Sequence, residues 1–480
     1  MQLYRRRRAV ARCCVLFYRR TPAPRLLPRS DGLAASVFLM HTTPRAGALP
    51  LGVGLLTTAT CCSALGYPDL EVVDPDAGEG NGAASGPGPS DEKVALFTSL
   101  KQYIGSDISS LVSVPVWIME PTSTLQKMAE IMEYTDLLDQ AAACEDPAMR
   151  LALIAAFAVA PYAAAERVWK PFNPTLGETY EMVTDKGVHL VSEQVSHHPP
   201  VGVQHAACEA WDYTLVGAPT TKFLGNSIEI YANGRTRLKM EKFAEEYYIV
   251  PPTGKAHNLI IGRMWVDTFG EMVIGCPSTG WEARLTFTPC GWFGASRYEV
   301  AGHITGPDGA KALKVSGKWN SFLDAVRCGA DGEPAEGANV HHLWKATEKP
   351  AGDYYGMTHF ARAMNRWPDT LECVPMPTDS RRREDRHALD VEDSARAAAA
   401  KTQIEERQRA DRREREAKQG VWTPKWFRKV EGKEPLPGEP EENVVGFYEF
   451  TGDFKPCKRE GGVVEADVLG KDFNPWQYDL

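Results

Sequence analysis

The chain has 480 residues, enough for one large domain or two to three average ones, and its composition of 43% hydrophobic and 24% charged residues is typical of a globular protein. Its 54 basic and 63 acidic residues give a formal net charge of -9, which argues against a nucleic-acid-binding protein and requires any anionic partner to be bound by local basic clusters. The eleven cysteines never fall in a C-x-x-C spacing, so we expect free thiols and no zinc site built from cysteines.

The first 73 residues are predicted to be an arginine-rich leader. Residues 1–68 contain ten arginines, no lysine and one acidic residue, Asp31, which is the bias of an organelle transit peptide. A disordered extension explains the composition equally well. The uncharged residues 46–68 are long enough to cross a bilayer, but their Gly, Pro and Thr content makes them weakly apolar, so we do not expect a membrane span.

The folded part of the chain is predicted to cover residues 92–421. It follows residues 74–91, which are rich in Gly, Pro, Ser and Asp and are predicted to be a flexible linker. In residues 92–104 apolar side chains recur at helical spacing. This pattern predicts a short amphipathic segment that packs on the core or covers an opening.

Two or three helices are predicted over residues 121–169. Thr122 or Ser123 is the expected cap of the first helix. Residues 151–165 carry no charge and are too short to span a bilayer, so we expect them to form a buried helix. Asp146 followed by proline marks the expected interruption before this helix.

From Gly177 onward the sequence alternates apolar and polar residues in roughly ten short segments joined by turn signals, a pattern typical of antiparallel strands. A meander this long must split into a sandwich or close into a barrel to remove its edges, and a large barrel has room for a ligand. We place the barrel core at residues 170–320. Residues 378–418 contain no Gly or Pro and predict a long solvent-facing helix, and residues 422–480 are expected to wrap the body as irregular chain.

The stretch "EQVSHHPP" (193–200) places two adjacent histidines at the end of a predicted strand. Neighbouring side chains on a strand point to opposite faces, so His197 and His198 can serve one ligand only where the strand bends or ends. Pro199 and Pro200 supply that end. The pair suits an anion at a barrel mouth. A metal ion is the alternative, but no cysteine or H-E-x-x-H arrangement completes a site, and we expect no metal.

Two other groups of charged residues could join the histidines. Lys170 and Asn173 lie on the link "WKPFNPTLGETYE" (169–181), whose prolines fix a non-helical backbone. A lysine there is ordinarily a solvated charge, and only proximity to the histidines would make it a phosphate ligand. Lys401, Glu405 and Arg409 are spaced i, i+4, i+8 and share one face of the long helix, where solvated intrahelical pairs explain them equally well.

An enzyme is not expected. The sequence contains no G-x-S-x-G nucleophile elbow, no G-x-x-x-x-G-K-[ST] phosphate loop and no G-x-G-x-x-G dinucleotide turn. Ser196 and His197 are adjacent on a strand and point apart, which makes them a poor nucleophile and base pair. We also expect no cofactor.

These motifs together resemble the oxysterol-binding-protein-related lipid transfer family. "EQVSHHPP" matches the fingerprint of that family letter for letter, and the resemblance also takes in "WKPFNPTLGETYE", "PTDSR" (377–381) and "K-x-x-I-E-E-R-Q-R" (401–409). It covers residues 92–418. The stretch "SLVSVPVWIMEPTSTLQKMAEIMEY" and the closing "FNPWQY" look most like the short plant-type members that consist of the ligand domain alone.

The resemblance implies an α+β, mainly β fold: a large, nearly closed antiparallel β-barrel with a hydrophobic tunnel, a lid at residues 92–120 and a long C-terminal helix. Such a barrel carries one lipid at a time, and the headgroup of phosphatidylinositol 4-phosphate lies at its mouth. The residues that would hold this headgroup are His197, His198, Lys170, Asn173, Lys401, Glu405 and Arg409. Two lysines, an arginine and partly protonated histidines would balance its charge of about minus three.

The second lipid depends on the lid segment "VPVWIME" (114–120). Family members that carry phosphatidylserine resemble "L-P-x-F-x-L-E" at this place; here the proline, the aromatic residue and the glutamate match while both leucines are replaced. Sterol and phosphatidylserine therefore stay open, with sterol preferred. The lid and tunnel residues implied are Val114, Pro115, Trp117, Ile118 and Glu120.

The expected function is therefore non-vesicular exchange of phosphatidylinositol 4-phosphate for a sterol or phosphatidylserine between membranes. A lipid sensor or scaffold at membrane contact sites would need the same pocket, and the sequence leaves this alternative open. We expect a cytosolic protein that contacts membrane surfaces peripherally, including those of the endoplasmic reticulum. Organelle targeting by residues 1–68 is the alternative localisation.

Overall fold

The computed structural model describes residues 96–458, apart from residues 97, 109–112, 185, 368–372, 432–433, 440–444, 453 and 455–456. The predicted leader (1–73) and linker (74–91) lie outside the described residues, as do residues 459–480 of the predicted C-terminal wrap.

A layer of helices begins at Ser123, one of the two predicted caps. After a 3₁₀ turn (Val116–Ile118) and strand β1 (Met119–Ser123), the Ser123 hydroxyl accepts a hydrogen bond from Gln126 N at 3.2 Å, and the Gln126 side chain accepts one from Ser123 N at 3.0 Å. This capping box starts the first helix. Asp146 caps the third helix, at the predicted interruption. The helices are α1 (Thr124–Ala129), α2 (Asp136–Ala143), α3 (Pro147–Val159) and α4 (Tyr162–Ala165).

Helix α3 is the buried helix predicted from its uncharged sequence. The stretch Pro147–Ala165 is long and apolar enough to cross a bilayer by length and composition alone, but 72% of its apolar window is buried inside the protein. Pro161, which lacks a backbone N–H, separates α3 from α4. This burial is typical of the core helix of a globular protein.

A sheet of fourteen antiparallel strands makes up most of the structure. It is preceded by β2 (Lys170–Phe172), which pairs in parallel with β1. The strands of the sheet are β3 (Thr179–Val183), β4 (His189–His197), β5 (Pro200–Ala207), β6 (Trp211–Phe223), β7 (Ser227–Asn233), β8 (Thr236–Met240), β9 (Glu245–Val250), β10 (Thr253–His257), β11 (Trp265–Cys276), β12 (Trp281–Phe287), β13 (Glu299–Thr305), β14 (Lys311–Lys318), β15 (Phe322–Arg327) and β16 (Val340–Lys345).

The sheet branches at two long strands, β6 and β11. The first half of β6 pairs with β8 and its second half with β7. In the same way, the first half of β11 pairs with β10 and its second half with β9. A meander therefore runs through β3, β4, β5, β6, β8, β9 and β11 to β16, while β7 and β10 pair with each other and connect β6 to β11 along a second path. This large, mainly β architecture is consistent with a tunnel-forming barrel and confirms the predicted fold class.

The main core lies between the helices and one face of the meander. Helix α3 packs against β12, β13, β14 and β16. The ring of Phe157 on this helix meets that of Tyr213 on β6 edge to face, with centroids 5.7 Å apart. Buried side chains from strands at both ends of the meander, such as Tyr180 and Trp344, belong to the same core. The sheet thus curves around the helices.

The predicted end of the barrel core at residue 320 was wrong, because β15 and β16 extend the sheet to Lys345. The segment between these two strands, residues 328–339, contains three glycines and a proline. Turn-forming residues over such a length obscure the alternation that predicts strands.

The long helix predicted over residues 378–418 is two helices. A 3₁₀ turn (Ser380–Arg382) leads to α6 (Glu384–Asp390), after a short helix α5 (His359–Ala363) and the two-residue strand β17 (Cys373–Val374). The chain turns at Glu392, whose φ is 64°, and Asp393 caps α7 (Ser394–Ala417) by accepting a hydrogen bond from Arg396 N at 3.0 Å. An aspartate at this position could equally lie inside a helix, so the amino-acid composition did not indicate the break. Nor is α7 wholly solvent-facing, because Ala397, Ala400, Lys401 and Ile404 are buried.

The chain after α7 covers the outer face of β4 to β6. It includes the short strand β20 (Cys457–Lys458) and a hairpin of β18 (Phe427–Val430) and β19 (Phe447–Phe450), so it is more regular than predicted. Trp426 and Phe427 pack against Val203 and Val216 of the sheet. A second, smaller core results.

Candidate functional site

The two adjacent histidines lie at a hairpin turn, as predicted. Strand β4 ends at His197, His198 and Pro199 form the turn, and β5 starts at Pro200. His197 is half-buried and His198 exposed, and their rings meet edge to face with centroids 4.8 Å apart. His197 Nδ1 lies 3.1 Å from the carbonyl oxygen of Pro174, which can only accept, so this nitrogen donates and Nε2 is left for a ligand.

The pKa of each histidine lies below its ordinary value, which favours the neutral ring at pH 7. Burial lowers the pKa of His197 to about 4, and the nearby charges of His198, Arg383 and Arg412 act in the same direction. Burial and the charge of Arg412 also lower the pKa of His198, while Glu416 opposes the shift. In the protein alone the His197 ring is therefore neutral at pH 7, while partly protonated histidines beside a bound headgroup stay a prediction. An anion placed beside the rings would raise both pKa values.

Lys170 lies where the link meets the C-terminal helix. Its Nζ donates to Asn173 Oδ1 at 2.5 Å and to the carbonyl oxygen of Pro171 at 3.1 Å. Burial, followed by the charges of Lys401 and Arg383, lowers the pKa of Lys170 to about 8, and Glu405 opposes the shift. The structure thus brings Lys170 within electrostatic range of a residue 231 positions further along the chain, Lys401.

Glu405 lies between its two basic neighbours on α7. Lys401 Nζ donates to Glu405 Oε1 at 2.5 Å, and Arg409 Nη2 is 3.4 Å from Glu405 Oε2. Lys401 also donates to the hydroxyl of Ser113 at 2.6 Å, and this hydroxyl donates to Glu405 at 2.9 Å. The segment that precedes the predicted lid residues therefore contacts the charged face of α7. Arg409 is largely exposed and contacts the group through Glu405.

The prediction from the sequence missed two arginines of this site. Arg383 is buried: it donates to Asp385 at 2.7 and 2.9 Å, to Glu178 at 3.0 Å and to the carbonyl oxygen of Asn173 at 2.7 Å. Its charge acts on both Lys170 and His197, so it connects the two halves of the site. It follows two positions after the "PTDSR" motif, but nothing in the sequence indicates its partners.

Arg412 is the second missed residue. Its Nε donates to Glu416 at 2.7 Å, and its charge acts on both histidines. It lies eleven residues, or about three helical turns, after Lys401 and therefore on the same face of α7. This spacing could have identified Arg412 from the sequence.

The predicted lid residues separate into two environments. Val114 and Ile118 pack on Phe172 and on residues of α6 and α7, while Pro115 precedes the 3₁₀ turn and Trp117 is half-buried. Glu120, expected on the lid, is instead fully buried under it. Its carboxylate accepts hydrogen bonds from Arg167 at 3.0 and 3.1 Å and from Thr122 at 2.8 Å. Burial in an ion pair leaves no surface of Glu120 for a lipid, whereas a lid role of the other four stays a prediction.

The first part of the predicted lid (92–120) docks on the end of β6. Gly105 N donates to Phe223 O at 2.7 Å, Phe223 N donates to Ser106 O at 3.1 Å, and Asp107 Oδ1 accepts from Thr221 N at 3.0 Å. Among the residues that the structure describes, no three His, Cys, Asp or Glu side chains are grouped as metal ligands would be.

Comparison with known proteins identifies the family. The profile of the oxysterol-binding protein family matches residues 95–453. The chain is 41% identical over 421 residues to oxysterol-binding protein-related protein 3C of Arabidopsis thaliana, over 86% of this chain and 91% of the relative. It is 33% identical over 394 residues to oxysterol-binding protein-related protein 1 of Homo sapiens, over 74% of this chain and 41% of that protein.

Solved structures give the same result. The Osh1 ORD domain in complex with cholesterol matches with a TM-score of 0.66 and 32% identity, over 75% of this chain and 87% of that chain. The Osh3 ORD in complex with PI(4)P from Saccharomyces cerevisiae matches with a TM-score of 0.63 and 28% identity, over 82% of this chain and 97% of that chain. The protein is a member of the oxysterol-binding protein family, whose domains bind lipids.

Proposed function

We propose that this protein binds phosphatidylinositol 4-phosphate by its headgroup and exchanges it for a sterol between membranes. The observation that carries this proposal is the convergence of basic side chains from distant segments at one end of the barrel. Lys170 comes from β2, His197 from the end of β4, and Lys401 from α7. Arg383, which is paired with Asp385 and Glu178, and Arg412, which is paired with Glu416, lie in the same region.

The electrostatics of this cluster favour a strongly anionic ligand. Burial is the main cause of the lowered pKa of Lys170, and the charges of Lys401 and Arg383 lower it further, which is the effect of like charges held close together. Such a cluster costs free energy in the protein alone, and an anion among the charges relieves the repulsion. A headgroup with a phosphodiester and a phosphomonoester carries about three negative charges near pH 7 and supplies that anion.

A sterol is the proposed counter-lipid. The related Osh1 domain was solved with cholesterol and with ergosterol, and the related Osh3 domain with PI(4)P, so relatives of one fold hold both classes of lipid. Two lipids that occupy the same tunnel exclude each other, and this exclusion is the basis of exchange. Phosphatidylserine is the alternative, because the lid segment at residues 114–120 matches part of the pattern typical of its carriers.

The role that we assign is that of a carrier rather than an enzyme. The lipid is bound and released without a chemical step, and the protein acts from the cytosol on membrane surfaces, including that of the endoplasmic reticulum. The basic cluster needs only to bind the headgroup reversibly.

The test is transfer of phosphatidylinositol 4-phosphate between two populations of liposomes. The double variant His197→Ala/His198→Ala should lose at least about tenfold in transfer rate, since two ligands of the phosphate are removed. The matched control is His341→Ala/His342→Ala, which removes another adjacent pair, exposed on β16. Equal transfer by the first variant and the wild type would refute the assignment of the site. A wild-type protein that binds the lipid without moving it would be a sensor or scaffold instead.

A further inference from the structure

Large apolar side chains are exposed at the end of the sheet that carries the histidine turn. In an antiparallel meander every second connection lies at the same end. Four connections lie at this end: the turn after β4, the tip between β6 and β7 (224–226), the loop between β10 and β11 (258–264) and the loop between β12 and β13 (288–298). Strand pairing places the tip between β6 and β7 beside the loop between β10 and β11, because Phe223 pairs with Ile228, Ser227 with His257, and His257 with Trp265.

This end, which we call the apolar rim, holds six of the eleven large exposed apolar side chains among the described residues. The exposed fraction is 87% for Trp292, 82% for Phe293 and 76% for Ile261. The other members of the rim are Ile104, Leu224 and Phe322. Exposed apolar surface of this extent usually marks an interaction site.

The loop that carries Trp292 and Phe293 is held in a defined shape. Cys290 N donates to Asp267 Oδ2 on β11 at 2.9 Å, and Gly291 N donates to Ala295 O at 2.8 Å across the tip. Phe293 has a φ of 59°, a left-handed conformation that costs free energy for a residue with a side chain. The loop thus presents two aromatic rings to solvent, although exposure of apolar surface and the strained backbone both cost free energy.

The loops of the apolar rim are also joined to one another. Asn226 at the tip between β6 and β7 accepts hydrogen bonds from Ile260 N at 3.0 Å and Ile261 N at 2.9 Å. The guanidinium of Arg297 packs over the ring of Trp265 at 5.2 Å, which ties the loop after β12 to the start of β11. The exposed side chains are therefore carried by one connected surface and not by independent flexible ends.

We propose that the apolar rim, led by Trp292 and Phe293, docks the protein on an anionic lipid bilayer. Its side chains are carried by separate connections of the sheet, so they suit a soft apolar medium better than a partner of fixed shape. Tryptophan is favoured at the boundary between lipid and water, and phenylalanine is among the residues that interfacial segments bury in the apolar layer beneath it. Three lysines exposed on the same rim, Lys101, Lys222 and Lys318, are within reach of negatively charged headgroups; Lys222 stands opposite Glu229 and Lys318 opposite Glu299, which leaves Lys101 as the lysine without a paired strand neighbour.

This inference rests on the proposed function, because a lipid that enters the site at the histidine turn must come from a membrane facing that end. Docking by the rim brings the turn of His197 and His198 to the membrane surface. The apolar rim therefore places the protein on the membrane, and the basic cluster recognises the lipid headgroup.

The test is sedimentation with vesicles of phosphatidylcholine and phosphatidylserine that contain no phosphoinositide. The variant Trp292→Ser/Phe293→Ser should lose at least about tenfold in partitioning, since burial of two aromatic side chains is removed. The control Val340→Ser removes an exposed apolar residue from the opposite end of the sheet and should bind as the wild type. Unchanged partitioning of the Trp292→Ser/Phe293→Ser variant would overturn the proposal.

Insertion has a second readout. Brominated phosphatidylcholine should quench part of the tryptophan fluorescence, and Trp292→Phe should remove that part while binding is kept; equal quenching of both proteins would contradict insertion of Trp292. Binding of a short-chain, water-soluble phosphatidylinositol 4-phosphate separates the two claims. The rim variant should bind it as the wild type, whereas a wild-type protein that fails to bind it contradicts the proposed function and leaves the vesicle result standing.

Discussion

The affinity for phosphatidylinositol 4-phosphate should fall as the pH rises from 7 to 9, because Lys170 loses its proton in this range. Burial and the nearby charges of Lys401 and Arg383 lower the pKa of Lys170 to about 8, and Glu405 opposes them. Only the charged ammonium group attracts a phosphate, and a bound phosphate stabilises that form and raises its pKa. The complex therefore keeps a proton that the free protein has lost.

The magnitude follows from the pKa of about 8 for Lys170. About nine-tenths of the free protein carries this proton at pH 7 and about one-tenth at pH 9, so the apparent dissociation constant should rise about tenfold, or about 1.4 kcal/mol. His197, with a pKa of about 4, stays neutral throughout. The phosphomonoester, with a pKa of about 6, stays largely ionised.

Isothermal titration calorimetry with a short-chain, water-soluble phosphatidylinositol 4-phosphate measures this dependence. Lys170→Arg is the matched control, since a guanidinium keeps its charge throughout the range. Its affinity should be independent of pH. A wild-type affinity that stays constant from pH 7 to 9, or a decrease of equal size in Lys170→Arg, would refute the assignment of Lys170 to the phosphate.

Two further predictions concern residues that the sequence did not single out. Glu439→Ala should lower the free energy of unfolding in urea by about 3–5 kcal/mol, because the Glu439 carboxylate, buried, lies 2.9 Å from Arg235 and 2.6 Å from Arg237, and breaking a buried ion pair leaves charge uncompensated. Arg412→Ala should raise the pKa of His198 in an NMR titration, since a neighbouring positive charge is removed, and should weaken headgroup binding by about tenfold.

Each of these predictions has a control on α7. Glu414→Ala removes an exposed pair with Lys418 and should change the free energy of unfolding by less than about 0.5 kcal/mol, so an equal loss in Glu439→Ala would show that burial does not matter. Arg413→Ala removes an exposed charge next to Arg412 on a different face of the helix. If Arg413→Ala and Arg412→Ala shift the pKa of His198 equally, the effect is one of net charge and not of position.

Several features of the fold were readable from short stretches of sequence. The cap at Ser123, the interruption before α3 and the end of β4 at the prolines all depend on hydrogen bonds or backbone restrictions within a few residues. The residues of the predicted headgroup site were identified by motifs rather than by geometry. Their types and spacing were visible, but their proximity was an expectation that followed from the resemblance.

Other features depend on contacts between distant residues. Alternation predicts that β6 is a strand, but not that its two halves pair with different partners. The partners of Arg383 lie more than 200 residues earlier in the chain at Glu178 and Asn173, and two residues later at Asp385. Glu120 was mistaken for a lid residue because its partner Arg167 is 47 positions away.

The order of amino acids was therefore sufficient to indicate the class of fold, the ends of several elements and the candidate side chains for an anion site, because local hydrogen bonding and motif chemistry act over short distances. The fold of the whole chain determined which charges become neighbours, how far the pKa of Lys170 is displaced and which aromatic residues stay exposed at the apolar rim. These properties depend on burial and on Coulomb interactions through space, and separation along the chain does not predict either.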